Sequence, residues 1–96
     1  MQKQDIPQLE ELRKEIDRID NAWMELLSER FKVTELVGKR KALDNINPVD
    51  EGREERQFKK METLAVDKRV DPELAKKILR LIIDRVVENH KDIASK

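Results

Sequence analysis

The sequence predicts an all-α chain of three helices, the first of them very long. Three observations lead there. Charged residues fill 44% of the 96 positions and aromatic residues 3%, a balance suited to solvent-facing helices rather than to sheets. Only two glycines and three prolines punctuate the chain, so few turns can form. The apolar residues recur at alternating spacings of three and four, the period of an amphipathic helix.

The first helix is expected from about Pro7 to Leu43. Its seam is Leu9, Leu12, Ile16, Ile19, Trp23, Leu26, Val33 and Val37, widened by Leu27, Phe31 and Leu36. Pro7 suits a first turn, where its missing N–H costs nothing. Gly38 is the weak point, since glycine inside a helix costs roughly 1 kcal/mol against alanine; it either permits close backbone approach or is simply tolerated. At about 1.5 Å per residue the helix would be about 55 Å long. Asp44 to Val49 reads as a loop, and Asp50 as the N-cap of a second helix reaching about Val66, with Phe58, Met61 and Ala65 on one face. Asp67 to Val70 is a short connection. Asp71-Pro72-Glu73 combines a cap, a proline at the first position and an acid next to it, a strong start for a third helix to about Ile93. Leu79, Ile82, Ile83 and Val86 form its apolar side, broadened by Leu74, Ile78 and Leu81. A chain this short is expected to be one domain over residues 1–96.

Two short helices do not easily cover the apolar stripe of so long a partner. An exposed stripe of that size is a liability in a monomer. Pairing with a second copy solves this, so an intertwined helical homodimer is expected.

Composition also excludes. Lys+Arg and Asp+Glu both number 21, and the signs are mixed along the chain, which argues against a nucleic-acid or anionic-membrane surface. Without cysteine there are no disulfides, thiol nucleophiles or thiolate metal sites. One histidine and no His-Glu-x-x-His spacing offer no metal set, and no cofactor motif such as a glycine-rich phosphate loop is present. No segment has the apolar length of a membrane span, and Met1 to Pro7 lacks the apolar run of a signal peptide, so a cytoplasmic location is expected.

Charged and polar residues interrupt the apolar stripes. Arg30 stands on the seam between Leu26 and Val33, Arg13 lies between Leu9 and Ile16, and Lys41 continues the face of Val37. Glu54 lies four before Phe58, and His90 four after Val86. Each alone has a plainer explanation. Arg30 can snorkel or pair with Glu29 or Glu54. Arg13 and Lys41 can be solvated, Glu54 can serve the helix dipole, His90 can pack near a helix end, and Asp50 can be only a cap. Together, three cations, a carboxylate and an imidazole on inward faces suggest a cavity for a small anion, since buried charge is costly unless paired. Arginine suits carboxylates because its planar fork donates two parallel hydrogen bonds.

The run Leu12-Arg13-Lys14-Glu15-Ile16-Asp17-Arg18-Ile19-Asp20, then Leu26-Leu27-Ser28-Glu29-Arg30, then Val37-Gly38-Lys39-Arg40-Lys41, then Asp50 with Arg53-Glu54, resembles the all-helical chorismate mutases. The similarity runs from about Leu9 to His90. It implies an intertwined dimer of three-helix subunits with two equivalent active sites. It implies the Claisen rearrangement of chorismate to prephenate, on the way to phenylalanine and tyrosine, without metal or organic cofactor. By the same resemblance, Arg30 and the other subunit's Arg13 would bind the two substrate carboxylates. Lys41 would contact a carboxylate and the ether oxygen, Glu54 would hold the ring hydroxyl with Asp50 near it, and Arg53 would support the carboxylate end. His90 falls where the family places a donor to the ether oxygen, usually glutamine and sometimes glutamate. Val86 falls where many members have a serine that touches a carboxylate.

Such a reaction is pericyclic and needs no nucleophile. Catalysis is expected from holding the enolpyruvyl arm over the ring and from donors that meet charge building on the ether oxygen. His90 is expected to donate in either protonation state, more strongly as the cation, so turnover should hold or rise in mild acid. Two rival readings are an isochorismate pyruvate lyase on the same fold and a non-catalytic helical module whose inward charges only set register. The carboxylate of Glu54, available for a ring hydroxyl, favours the mutase over the lyase.

Overall fold

The computed structural model describes residues 2–96. Met1, which begins the polar N-terminal stretch considered above, lies outside them. A short 3-10 turn, Lys3–Asp5, precedes three α-helices among the described residues: α1 (Leu9–Leu43), α2 (Glu51–Asp67) and α3 (Pro72–Ala94). Among these residues there is no strand, and no helix is long and apolar enough to cross a membrane.

Each boundary has a local cause. α1 begins two residues later than expected: its first acceptor is the carbonyl of Gln8, bonded by the Leu12 N–H at 3.1 Å, so Pro7 stands outside the helix rather than in its first turn. That start puts Glu10 and Glu11 in the first turn, where the helix dipole favours acids. Asp50 caps α2, its Oδ1 accepting from the Arg53 N–H at 3.0 Å, and Asp71 caps α3 through the Glu73 N–H at 3.0 Å. Pro72 then occupies the first turn of α3. α2 and α3 each end one residue beyond expectation.

Two helices end on a residue in the left-handed region. After α1, Asn45 has φ 54°; its N–H bonds the Ala42 carbonyl at 3.3 Å, and the Ile46 N–H bonds that of Lys41 at 2.8 Å. After α2, Arg69 has φ 59°, with its N–H on Val66 and that of Val70 on Ala65. Asparagine tolerates this conformation; arginine, with its Cβ against the carbonyl, does not. Arg69→Gly should therefore stabilise the fold by about 0.5–1 kcal/mol, relief of strain exceeding the entropy of a freer unfolded chain. A higher urea midpoint at unchanged slope is the expected readout, and a lower one would contradict it.

The backbone groups into two units, one up to Lys32 and one from Val33. In the first, the long helix is tied along its surface by close neighbours: Arg18 to Glu15 at 2.6 Å and the Trp23 indole N–H to Asp20 at 3.0 Å. Its apolar seam is exposed, Leu9 at 60% and Leu26 at 64%, with Leu12, Ile16, Ile19 and Trp23 also open.

In the second unit α2 packs on α3. Glu62 meets Lys76 at 3.6 Å and Glu54 meets Arg80 at 3.0 Å, so the two helices run antiparallel. Ala65 of α2 and Ala75, Leu79 and Ile83 of α3 form the buried core. The expected α3 stripe is real but narrower than the sequence suggested: Leu74, Ile78 and Leu81 are exposed, because a single neighbouring helix covers one line of it. From the C-terminal part of α1, Gly38 is buried, while Val33, Leu36 and Val37 are open.

Candidate functional site

His90 is the one buried polar residue among those described, at 4% exposure. Its Nε2 lies 2.7 Å from the carbonyl oxygen of Thr34 on α1. A carbonyl only accepts, so Nε2 carries the proton and donates. Nδ1 is buried with no hydrogen-bond partner. In the neutral ring Nδ1 is an acceptor alone, which corrects the expectation that His90 donates to a ligand in either protonation state. With Nε2–H committed, a second donor exists only on the imidazolium.

The α1 face against His90 also carries Lys41. Thr34, Gly38 and Lys41 are spaced four and then three residues apart, one side of a helix. Lys41 is half-buried in the last turn, and its Nζ donates to the Pro48 carbonyl at 3.2 Å. It lines an open groove with Asn45, Ile46, Asn47 and Pro48. The ammonium is thus tethered beside the loop that leads to α2.

Asp50, Arg53 and Glu54 fall within the first turn of α2. Asp50 and Arg53 are exposed, and the Asp50 carboxylate is engaged as the cap. Glu54 is half-buried and pairs with Arg80 of α3, Nη2 to Oε1 at 3.0 Å. The same guanidinium reaches Asp84 at 2.7 Å and stands 5.2 Å from the centre of the Phe58 ring. The Glu54 carboxylate, and after it that of Asp84, hold the Arg80 guanidinium above its usual range, against a smaller opposing effect of burial. Arg80 was not among the residues singled out in the sequence. Its spacing of four from Asp84 was the only signal, and that is also the spacing of an ordinary surface pair.

Val86 is half-buried one turn before His90. The second unit therefore brings His90 onto the Lys41 face of α1, and gathers Asp50, Arg53 and Glu54 in one turn. In the first unit Arg30 is half-buried and Arg13 exposed, the latter in a shallow surface with Leu9, Glu10, Lys14 and Asp17.

A family model, chorismate mutase type II, matches residues 12–91. The chain belongs to the chorismate mutase type II family. No curated protein matches it. The matched span holds every candidate residue from Arg13 to His90, so all of them lie in the part shared with the family. A chorismate mutase is an isomerase that converts chorismate to prephenate in aromatic amino acid biosynthesis. The rearrangement breaks a C–O bond and makes a C–C bond within one molecule, with no group that must enter or leave. What a chorismate mutase must supply is a clamp for a flexible dicarboxylate and fixed donors where the ether oxygen gains charge. The half-buried Lys41 ammonium is a group of the right chemistry for the second task, and so is His90 as the imidazolium.

Proposed function

We propose that the rearrangement takes place in two equivalent sites of an intertwined homodimer, each built on the Lys41 face of α1. Arg30 and Arg13 of the partner subunit hold the two carboxylates of chorismate, with Arg53 supporting the carboxylate end. Lys41 touches a carboxylate and the ether oxygen. His90 is the second donor to that oxygen. Glu54 accepts from the ring hydroxyl, with Asp50 beside it, and Val86 makes an apolar wall. In this reading the chain is one domain, residues 1–96. The cysteine-free composition suits a reducing cytoplasm.

The observation that carries this reading is the seating of His90 on α1 beside Thr34 and Gly38, on the face that continues to Lys41. Two donor groups then share one face, which is what a developing charge on a single oxygen requires. The dimer rests on the exposed seam of α1. Leu9, Leu12, Ile16, Ile19, Trp23 and Leu26 are all open in the single chain, and six apolar side chains in a row call for a cover. A second copy offers the same seam and the second arginine.

The test is prephenate formation from chorismate by purified protein, with isochorismate as the parallel substrate. Turnover of chorismate alone is expected; pyruvate release from isochorismate at comparable rate would favour the lyase. Sedimentation equilibrium should give twice the chain mass. Leu26→Glu, on the open seam, should shift the protein toward monomer and lower activity at limiting concentration, as burying an unpaired charge against a second helix costs several kcal/mol. Full activity in a strictly monomeric variant would rule out the shared site.

A further inference from the structure

Gly38 is buried in the interior of a 35-residue helix, at a position where alanine would favour the helix by about 1 kcal/mol. Its backbone does not explain its presence, because φ is not positive at either glycine. The explanation is space. A Cβ at residue 38 would lie 2.6 Å from Cδ2 of His90, 3.1 Å from Nε2 and 2.9 Å from Cδ1 of Ile93. The Ile93 methyl is the end of a flexible chain and can swing away. The His90 ring is nearly fully buried and tied at 2.7 Å to the Thr34 carbonyl, one turn earlier on the same helix. Gly52 is the contrast: a Cβ there meets only Arg56 Nη1 at 3.4 Å and Asp50 Oδ1 at 3.6 Å, ordinary contacts.

We propose that Gly38 is a positioning residue for the rearrangement: lacking a Cβ, it seats the His90 ring on α1 with Nε2–H fixed on the Thr34 carbonyl, which leaves Nδ1, buried and without a partner in the single chain, as the nitrogen that meets substrate. This rests on the reading of His90 as a donor at the site. A side chain at residue 38 would push the ring outward, lengthen the bond to Thr34 and carry Nδ1 away from the position that bond fixes. The loss would fall on the step in which charge develops and not on capture of the carboxylates, which belongs to other residues. It is a loss in kcat at nearly constant KM.

The experiment is a double-mutant cycle between Gly38→Ala and His90→Ala, with Gly52→Ala as control. In the parent background Gly38→Ala should lower kcat at least about tenfold, with KM changed less than about threefold, a part of what full loss of one donor costs. In the His90→Ala background the same change should alter kcat less than about twofold, because the ring it displaces is gone. Nitrogen-15 and proton spectra of the parent should show a hydrogen-bonded proton on His90 Nε2, and Gly38→Ala should weaken that hydrogen bond. Gly52→Ala should keep parental kcat. Should Gly38→Ala fail to fold, the double variant, freed of the clash, should fold. Equal losses in both backgrounds, an unchanged Nε2 hydrogen bond, or failure of both variants to fold would overturn the proposal while leaving His90 at the site. Parental kcat in His90→Ala would instead remove His90 from the site, and the role of Gly38 with it.

Discussion

Lys41→Ala should lower kcat for chorismate at least about a hundredfold and leave the helix content unchanged. The fold makes small use of this side chain. It is half-buried, its one recorded hydrogen bond goes to a loop carbonyl, that of Pro48, and alanine is the better helix former. The contact that closes the end of α1 uses the Lys41 carbonyl, which the substitution keeps. The catalytic cost is of another order. A fixed donor aimed at a developing charge is worth about 2.7–4 kcal/mol, and here the donor is also a cation facing a dianion. Lys41→Arg should recover only part of the loss, since a planar fork does not place one donor where a compact ammonium does. Circular dichroism and initial rates on the same samples decide the matter. Turnover of the alanine variant within about threefold of the parent would show that the ether oxygen is served elsewhere.

The second large effect is at His90. His90→Ala should lower kcat for chorismate about a hundredfold, the worth of one fixed donor, with KM changed little. The bond to Thr34 decides which nitrogen serves. Nε2–H is spent on that carbonyl, so the donor to substrate is an Nδ1–H, which the ring has in addition only as the imidazolium. His90→Gln should keep more of the rate than His90→Ala, because an amide N–H donates without a charge. Turnover of His90→Ala within about threefold of the parent would contradict the assignment of the donor to His90.

Much of the architecture was legible without coordinates because its causes are short-range. A cap acts over three residues, so Asp50 and Asp71 announced the starts of α2 and α3. The alternation of threes and fours marked the seam of α1 from Leu9 to Val37. The start of α1 was misjudged because Pro7 is acceptable both inside and just before a first turn, and only the Gln8 carbonyl decides between them. The candidate residues were legible as polar interruptions of apolar stripes, and the family match covers them all.

What the sequence determined by itself is therefore helix content, helix order, capping and the family. The tertiary structure decided the rest. Which cation answers Glu54 depends on the antiparallel register of α2 and α3, which brings Arg80 across 26 residues where Arg30 had been considered. Which nitrogen of His90 holds its proton depends on a carbonyl 56 residues away, and the need for Gly38 depends on a ring packed against it. Periodicity reports only which side of a helix is apolar; partners across helices are set by register and close packing, which no spacing along the chain encodes.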